Sequence, residues 1–249
     1  MELHNQTILI TGAARGLGRE LALLLAPLGC SLFLVDRDTD SLSALAHELS
    51  NSPKLLPCDL SDLSERKNLI QAIKLQTQID ILINCAGIGS HSQLSQLTVD
   101  EIERVMQINT LAPLKLIAGL SPLKLIVNIG SVAGEMNLPS MSLYAASKTS
   151  VHAFTRSIQL EGARTLLVIL GPMRGTDFTQ SISHPRTGQP KWYRRLDLPV
   201  ETAASLIVRA MQRGQSQLVA PWWYRIVFIL AQFISPFARV FIKKTGKNS

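Results

Sequence analysis

Runs of residues that are apolar at nearly every position alternate along this chain with stretches that are apolar at helical spacing. The runs are Thr7–Thr11, Ser31–Val35, Lys54–Cys58, Ile79–Asn84, Leu123–Ile129, Leu166–Leu170 and a short last one, Gln217–Ala220. Between them, residues 17–28, 40–49, 62–75, 98–120, 143–161 and 200–213 repeat as helices do. A strand that is apolar on both faces must be covered on both, which a parallel sheet with helices on each side provides. The expected fold is therefore α/β, a doubly wound parallel sheet of about seven strands. No internal repeat or low-complexity linker divides residues 1–221, so they are expected to form one domain. From Gly171 to Pro199 the periodicity disappears, and a stretch this long reads as a substrate loop.

The turn after the first strand narrows this further. Thr11-Gly12-Ala13-Ala14-Arg15-Gly16-Leu17-Gly18 joins that strand to the first helix. Gly12, Gly16 and Gly18 let the backbone bend sharply and approach a pyrophosphate, whose charge then meets the amino end of the helix. Glycines also serve in ordinary tight turns, but this position makes the turn a candidate nucleotide cradle and the fold Rossmann-type. Asp36 ends the second strand, 18 residues after Gly18. A carboxylate there accepts hydrogen bonds from the ribose hydroxyls of NAD and repels a 2′-phosphate, although a strand-end aspartate can also simply cap a turn. Arg15 and Arg37 could bind that phosphate instead. NAD is the favoured cofactor and NADP the alternative.

Tyr144 and Lys148 stand at i and i+4, on one face of a helix. A lysine cation beside a phenol favours the phenolate and suits the tyrosine to acid/base work at neutral pH. The pair alone is ordinarily a surface contact. Ser131, however, ends the fifth strand 13 residues earlier, where a hydroxyl faces the crevice at the carboxyl edge of the sheet. By itself that serine reads equally well as a turn cap.

Together these positions resemble the short-chain dehydrogenase/reductase family over roughly residues 5–215. The resemblance takes in the glycine turn, Asp59-Leu60 after the third strand, and Asn84-Cys85-Ala86-Gly87 after the fourth. It also takes in Asn109 in Met106-Gln107-Ile108-Asn109, Ser131 in Asn128-Ile129-Gly130-Ser131, and Tyr144 with Lys148. It implies an NAD(P)-dependent oxidoreductase interconverting an alcohol and a ketone or aldehyde. Tyr144 would be the general acid/base and Ser131 would hold the substrate oxygen. Lys148 would bind the nicotinamide ribose and tune Tyr144, and Asn109 would shape a proton relay through water. Asp59 and Leu60 would flank the adenine, and Asn84, Ala86 and Gly87 would back the cofactor. Members are usually dimers or tetramers built on helices corresponding to residues 109–120 and 144–161, so a homo-oligomer is expected. Two departures stand out: Cys85 replaces the usual asparagine, and the usual Pro-Gly after the sixth strand is reversed to Gly171-Pro172. Pro172 and Thr176 would border the nicotinamide. The alternative function is a catalytically silent dinucleotide-binding regulatory or membrane-docking protein.

Other classes are disfavoured. Cys30, Cys58 and Cys85 form neither a disulfide framework nor a metal spacing, and His152, two turns past Tyr144, reads as structural or solvated, so no metal is assigned. Reduced thiols and an N-terminus without a leader pattern suggest a cytoplasmic protein. Residues 1–185 carry 14 basic and 16 acidic side chains, whereas residues 186–249 carry 11 basic and two acidic ones, a net of +9. That asymmetry argues against nucleic acid and towards a basic C-terminal extension over 222–249. Between Ile226 and Ile242 only Gln232, Ser235, Pro236 and Arg239 interrupt an apolar stretch headed by Trp222, Trp223 and Tyr224, and Lys243 and Lys244 follow it. Residues 222–244 therefore suit either peripheral docking on an anionic membrane or packing over the substrate pocket or a partner subunit, with a hydrophobic substrate on both readings.

Overall fold

The computed structural model describes residues 1–136, 139–176, 197–226 and 228. In chain order the elements begin β1 (Thr7–Thr11), α1 (Gly16–Leu25), β2 (Ser31–Asp36), α2 (Thr39–Glu48), β3 (Lys54–Pro57) and α3 (Leu63–Gln76). They continue β4 (Ile81–Asn84), α4 (Val99–Met106), α5 (Ala112–Leu120), β5 (Leu125–Ser131) and α6 (Ser142–Leu160). The last are β6 (Thr165–Leu170), β7 (Met173–Arg174), β8 (Leu198–Pro199), α7 (Val200–Gln212) and β9 (Gln217–Ala220). Seven strands pair in parallel in the order β3-β2-β1-β4-β5-β6-β9. Strand order reverses between β1 and β4, which opens a crevice at their carboxyl ends, where such sheets bind ligands.

The uniformly apolar strands supply two cores by simple alternation. Ile8 and Ile10 of β1 and Ile81 and Ile83 of β4 pack towards α1, α2 and α7, with Leu21, Leu42 and Ile207. Leu9, Phe33 and Leu82, one residue out of phase, pack towards α3 and α5 with Leu69, Ile73 and Leu116. Helix starts are set by side chains that meet unpaired backbone N–H groups. Asp38 caps α2, Asp62 caps α3 and Thr98 caps α4. Helix α1 differs: no side chain caps its amino end and no acid lies in its first turn.

Three features differ from the sequence expectation. The helical stretch 98–120 is two helices joined by a π-helical turn, Gln107–Leu111, in which the Ala112 N–H reaches back five residues to the Gln107 carbonyl. Pro113 explains it, because proline has no N–H to give to the Asn109 carbonyl four residues back. Secondly, Met173–Arg174 pairs with Leu198–Pro199, closing the base of the expected substrate loop; its residues 177–196 lie outside those described. Thirdly, packing continues past residue 221. Tyr224 is 7% exposed and, with half-buried Trp223 and Phe228, covers Val132, Leu167, Ile169 and Val219. A side chain on residue 171 would meet the Tyr224 ring at 2.5 Å, which gives a packing reason for glycine at the reversed Gly171-Pro172. Trp222 faces outward. Residues 227 and 229–249, which hold most of the expected extension including Gln232, Arg239, Lys243 and Lys244, are outside those described.

Candidate active site

The glycine turn is built by close backbone approach. Gly12 has φ +67° and Gly16 φ +50°, in the left-handed region that glycine adopts cheaply. A Cβ on Gly12 would lie 2.8 Å from Cα of Ala86, and one on Gly18 would lie 2.1 Å from the Gly12 carbonyl oxygen. The turn is thereby pressed on the segment after β4, where the Thr11 hydroxyl accepts the N–H groups of Cys85 and Ala86 at 3.1 Å each. Thr176 stands over Gly16, its methyl 3.4 Å from where a Cβ would be. Leu17 turns its side chain into the core, so it offers the crevice only its amide. An uncapped helix start behind three glycines fits a dinucleotide's pyrophosphate, because its unpaired N–H groups and positive dipole end are left for an anion.

Around the rim each carboxylate is held by hydrogen bonds or by an ion pair. The Asp36 carboxylate accepts from the Ala14 and Asp38 N–H groups, both at 3.1 Å. Arg15 forms an ion pair with Asp38. Bonds from the Ser41 backbone, from Arg15 and from the Ser41 hydroxyl hold the Asp38 carboxyl down at about 2. Burial pulls Asp59 up, but the Ser61 hydroxyl and N–H, at 2.7 and 2.8 Å, and the charge of Arg37 outweigh it and leave Asp59 below the usual range. Leu60 is buried, and its carbonyl accepts from Arg66 at 2.6 Å.

At the other end of the crevice, β5, the turn after β4 and α6 bring the remaining candidates together. Lys148 is 5% exposed; its ammonium donates to the Ile129 carbonyl at 2.9 Å and lies 5.9 Å from the Tyr144 ring centroid. Burial pushes its pKa down to about 8. Tyr144 is buried against Ala133 and Met141. The Ser131 hydroxyl accepts the Ala133 N–H at 3.2 Å, capping the 3₁₀ turn Val132–Gly134. Gly87 sits where a Cβ would be 3.4 Å from both Asn109 Oδ1 and Lys148 Nζ.

Asn109 is held at both ends of its amide. Its Oδ1 accepts the Ile88 N–H and its Nδ2 donates to the Ile88 carbonyl, both at 2.9 Å, and Nδ2 also donates to Ser147 Oγ at 3.1 Å. The side chain is thus spent on tying α6 to the segment after β4. Asn84 likewise turns inward: Thr155 donates to the Val151 carbonyl, so it must accept from Asn128 Nδ2, and Asn128 Oδ1 accepts from Asn84 Nδ2 at 2.8 Å. Pro172 accepts the Leu198 N–H through its carbonyl at 2.9 Å. Burial pushes the Cys85 thiol up to about 12, which suits packing and not nucleophilic attack.

Two participants escape a reading of the sequence. His152 is buried, not solvated: its Nε2 accepts the Ser131 N–H at 3.2 Å and its Nδ1 meets Glu135 at 2.9 Å. The glycines on either side of Ser131, Gly130 and Gly134, are the signal, since a Cβ on either would strike this ring. Arg66, 1% exposed, joins the Leu60 carbonyl to Gln107 at the start of the π turn; nothing in its helical spacing announces a buried arginine. Among the described residues no cluster of three or more His, Cys, Asp or Glu side chains could hold a metal ion.

The family model described as short chain dehydrogenase matches residues 6–187. A protein of Anopheles gambiae named Dehydrogenase/reductase SDR family protein 7-like is 28% identical over 241 residues, covering 88% of this chain and 76% of its own length. Its namesake in Drosophila melanogaster is 30% identical over 210 residues, 79% of this chain, and this chain spans 64% of its length. Among solved structures, a short-chain dehydrogenase from Sphingobium yanoikuyae in complex with NADPH superposes with a TM-score of 0.79 at 27% identity, covering 92% of this chain and 95% of that one. A match over most of the chain, on a seven-stranded parallel sheet of this order, means that the protein belongs to the short-chain dehydrogenase family.

Proposed function

We propose that the protein is a nicotinamide-dinucleotide-dependent oxidoreductase that interconverts a hydrophobic alcohol and its ketone or aldehyde. The observation that carries this reading is the buried ammonium of Lys148 one turn from Tyr144, at the carboxyl edge of β5. Holding a cation out of water is costly, and such groups concentrate where chemistry uses them. A dinucleotide held along the glycine turn and Lys148 would supply the chemistry of hydride transfer at the substrate carbon. Tyr144 gives or takes the proton on the substrate oxygen, with the Lys148 charge beside it. Because the Ser131 oxygen already accepts from Ala133, its hydroxyl proton is left to donate to that same oxygen. One ammonium proton of Lys148 is used on Ile129, which leaves two for the ribose of the cofactor. With its amide committed, Asn109 contributes to proton relay through its main-chain carbonyl, which Pro113 deprives of an α-helical donor. The test is a screen of ketones, aldehydes and acyl thioesters for dinucleotide oxidation; binding of the dinucleotide with no turnover of any class would leave only a regulatory role.

The Sphingobium protein was solved with NADPH; the charges of this chain argue for NAD. The Asp36 carboxylate occupies the ribose end and Arg15 is engaged by Asp38, while Arg37 makes itself felt at Asp59 only through its charge. A 2′-phosphate reaching Arg15 would have to displace the Asp38 carboxylate and approach that of Asp36. NADH is expected to bind about tenfold more tightly than NADPH, a difference of about 1.4 kcal/mol, with Asp36→Ala narrowing the gap. Fluorescence titration with both dinucleotides decides it, and tighter NADPH binding by the unmodified protein would reverse the assignment.

The beginning of the C-terminal extension favours a docking role for it. Trp222 is 69% and Ile226 50% exposed, one turn apart, with exposed Arg225 between them, in the part of the chain that carries the +9 excess. Indole and aliphatic side chains beside arginine suit the headgroup level of an anionic bilayer. No helix among the described residues is long and apolar enough to cross a membrane. The full chain is expected to float with vesicles containing phosphatidylserine and not with neutral ones. The double substitution of Trp222 and Ile226 by serine should weaken binding on the order of tenfold or more, since each side chain contributes about 1.5–3 kcal/mol when buried. Equal recovery with neutral vesicles, or no effect of the substitutions, would dismiss the role.

A further inference from the structure

Ser131 is held by more than its own strand. Its N–H points at Nε2 of His152, 3.2 Å away, and an N–H can only donate, so that nitrogen must carry a lone pair. The other ring nitrogen, Nδ1, lies 2.9 Å from Oε1 of Glu135, an acceptor, so it carries the proton. The ring is therefore the neutral Nδ1–H tautomer, fixed from both sides. Glu135 is fixed in turn by an ion pair with Arg156.

The fold has been cleared for this ring. A Cβ on Gly130 would sit 2.1 Å from Nε2, and one on Gly134 would sit 2.6 Å from the ring carbon between the nitrogens. The two glycines bracket Ser131 and the turn Val132–Gly134 that its hydroxyl caps. The same turn is pinned at its far end, where the Thr149 hydroxyl donates to the Gly134 carbonyl at 2.9 Å. Thr149 and His152 both belong to α6, the helix that carries Tyr144 and Lys148. The clamp thus fixes the serine-bearing turn against the tyrosine-bearing helix, whose mutual placement the reaction requires.

We propose that His152, oriented by Glu135, is a positioning residue that sets Ser131 against Tyr144, and that a proton on Nε2 releases Ser131. The proposal rests on the role given to Ser131 above. An imidazolium has a donor at both nitrogens, so its Nε2–H would face the Ser131 N–H and the bond would be lost. The groups acting on the ring are Glu135, which favours the charged form, and Arg156 and Lys148, which oppose it. Burial is the largest influence and lowers the pKa of His152, keeping the ring neutral at physiological pH.

Two measurements test this. In a long-range ¹H–¹⁵N spectrum of the full chain, the His152 ring, identified by its loss in His152→Gln, is expected to show a proton on Nδ1 and none on Nε2 at neutral pH. In kcat/KM against pH, the unmodified protein should lose activity on the acid side as this ring titrates. Glu135→Gln keeps an oxygen for Nδ1–H but removes the charge, so the acid limb and the ring titration should both move down by about one pH unit or more. His152→Gln should abolish that limb and lower kcat on the order of tenfold, the worth of one hydrogen bond in the transition state, with dinucleotide affinity retained. A proton on Nε2 at neutral pH, or an acid limb that neither substitution moves, would overturn the proposal. If no substrate is turned over, the oxidoreductase reading fails, and the ring spectra alone then confirm or reject the clamp.

Discussion

Tyr144→Phe is expected to lower turnover by about 10²- to 10⁴-fold, the range general acid/base transfer supplies, and to leave dinucleotide binding within a few-fold of the unmodified protein. The substitution deletes one oxygen from a ring that is otherwise packed. Tyr144 lies against Ala133 and Met141, in a cluster that a phenylalanine fills equally well. The Lys148 ammonium keeps its bond to the Ile129 carbonyl and stays near the ring face, so the cofactor end is not disturbed. What disappears is the group proposed above to move a proton on the substrate oxygen. The loss should therefore fall on kcat and kcat/KM alike, as for an interaction made in the transition state. Single-turnover measurements with bound dinucleotide separate this from a release step. A Phe variant that turned over at the unmodified rate would mean that another group carries the proton.

The parts of this molecule that can be read from its sequence are those that depend on local pattern. Ile8-Leu9-Ile10 and Ile81-Leu82-Ile83 have to be strands covered on both faces, because alternate residues feed two separate cores. The glycine turn is legible for the same reason, since its need for bare backbone is written in the residue type: a Cβ on Gly18 would meet a carbonyl oxygen. Tyr144, Lys148 and Ser131 could be paired because one helical turn and one strand end fix where each side chain lies.

What escaped depends on distant partners or on small backbone changes. The π turn at Gln107–Leu111 continues an apolar pattern that a 3.6-residue repeat also fits, and only Pro113 hints at it. The resemblance gives Asn109 a part in proton relay, but its amide is committed to Ile88, which no spacing rule reveals. His152 and Glu135 are 17 residues apart and meet only because β5 delivers its turn on to α6. The reversed Gly171-Pro172 looks like a loss until Tyr224, more than 50 residues later, is seen to lie on that glycine. The same contact places Tyr224 and Trp223 on the body of the protein, leaving Trp222 to face outward.

Lys148→Met is expected to abolish more than 99% of turnover and, at neutral pH, to raise thermal stability. The first effect follows from its position beside Tyr144 and Gly87 and from the role proposed for it above; losing a charge that supports acid/base transfer costs on the order of 10²-fold or more. The second follows from linkage. Burial lowers the folded-state pKa of Lys148 to about 8, against about 10.4 in an unfolded chain. Between those two values the unfolded chain binds more protons, so stability increases as pH rises through the window. Below about pH 8 the folded protein bears the full cost of a buried ammonium, on the order of 3 kcal/mol. Methionine fills a similar volume without a charge, and its one clear debit is the Ile129 carbonyl left without its donor, about 1 kcal/mol. The balance favours the variant by about 1–2 kcal/mol, or a few degrees in Tm for a chain of this size. Melts of both proteins without dinucleotide, from pH 7 to pH 10, should therefore converge as pH rises. A variant that melts lower at every pH, with the same slope as the unmodified protein, would show that the ammonium is no burden to the fold. Convergence would identify Lys148 as a charge retained at the expense of stability, which is the pattern expected of a group kept for the reaction.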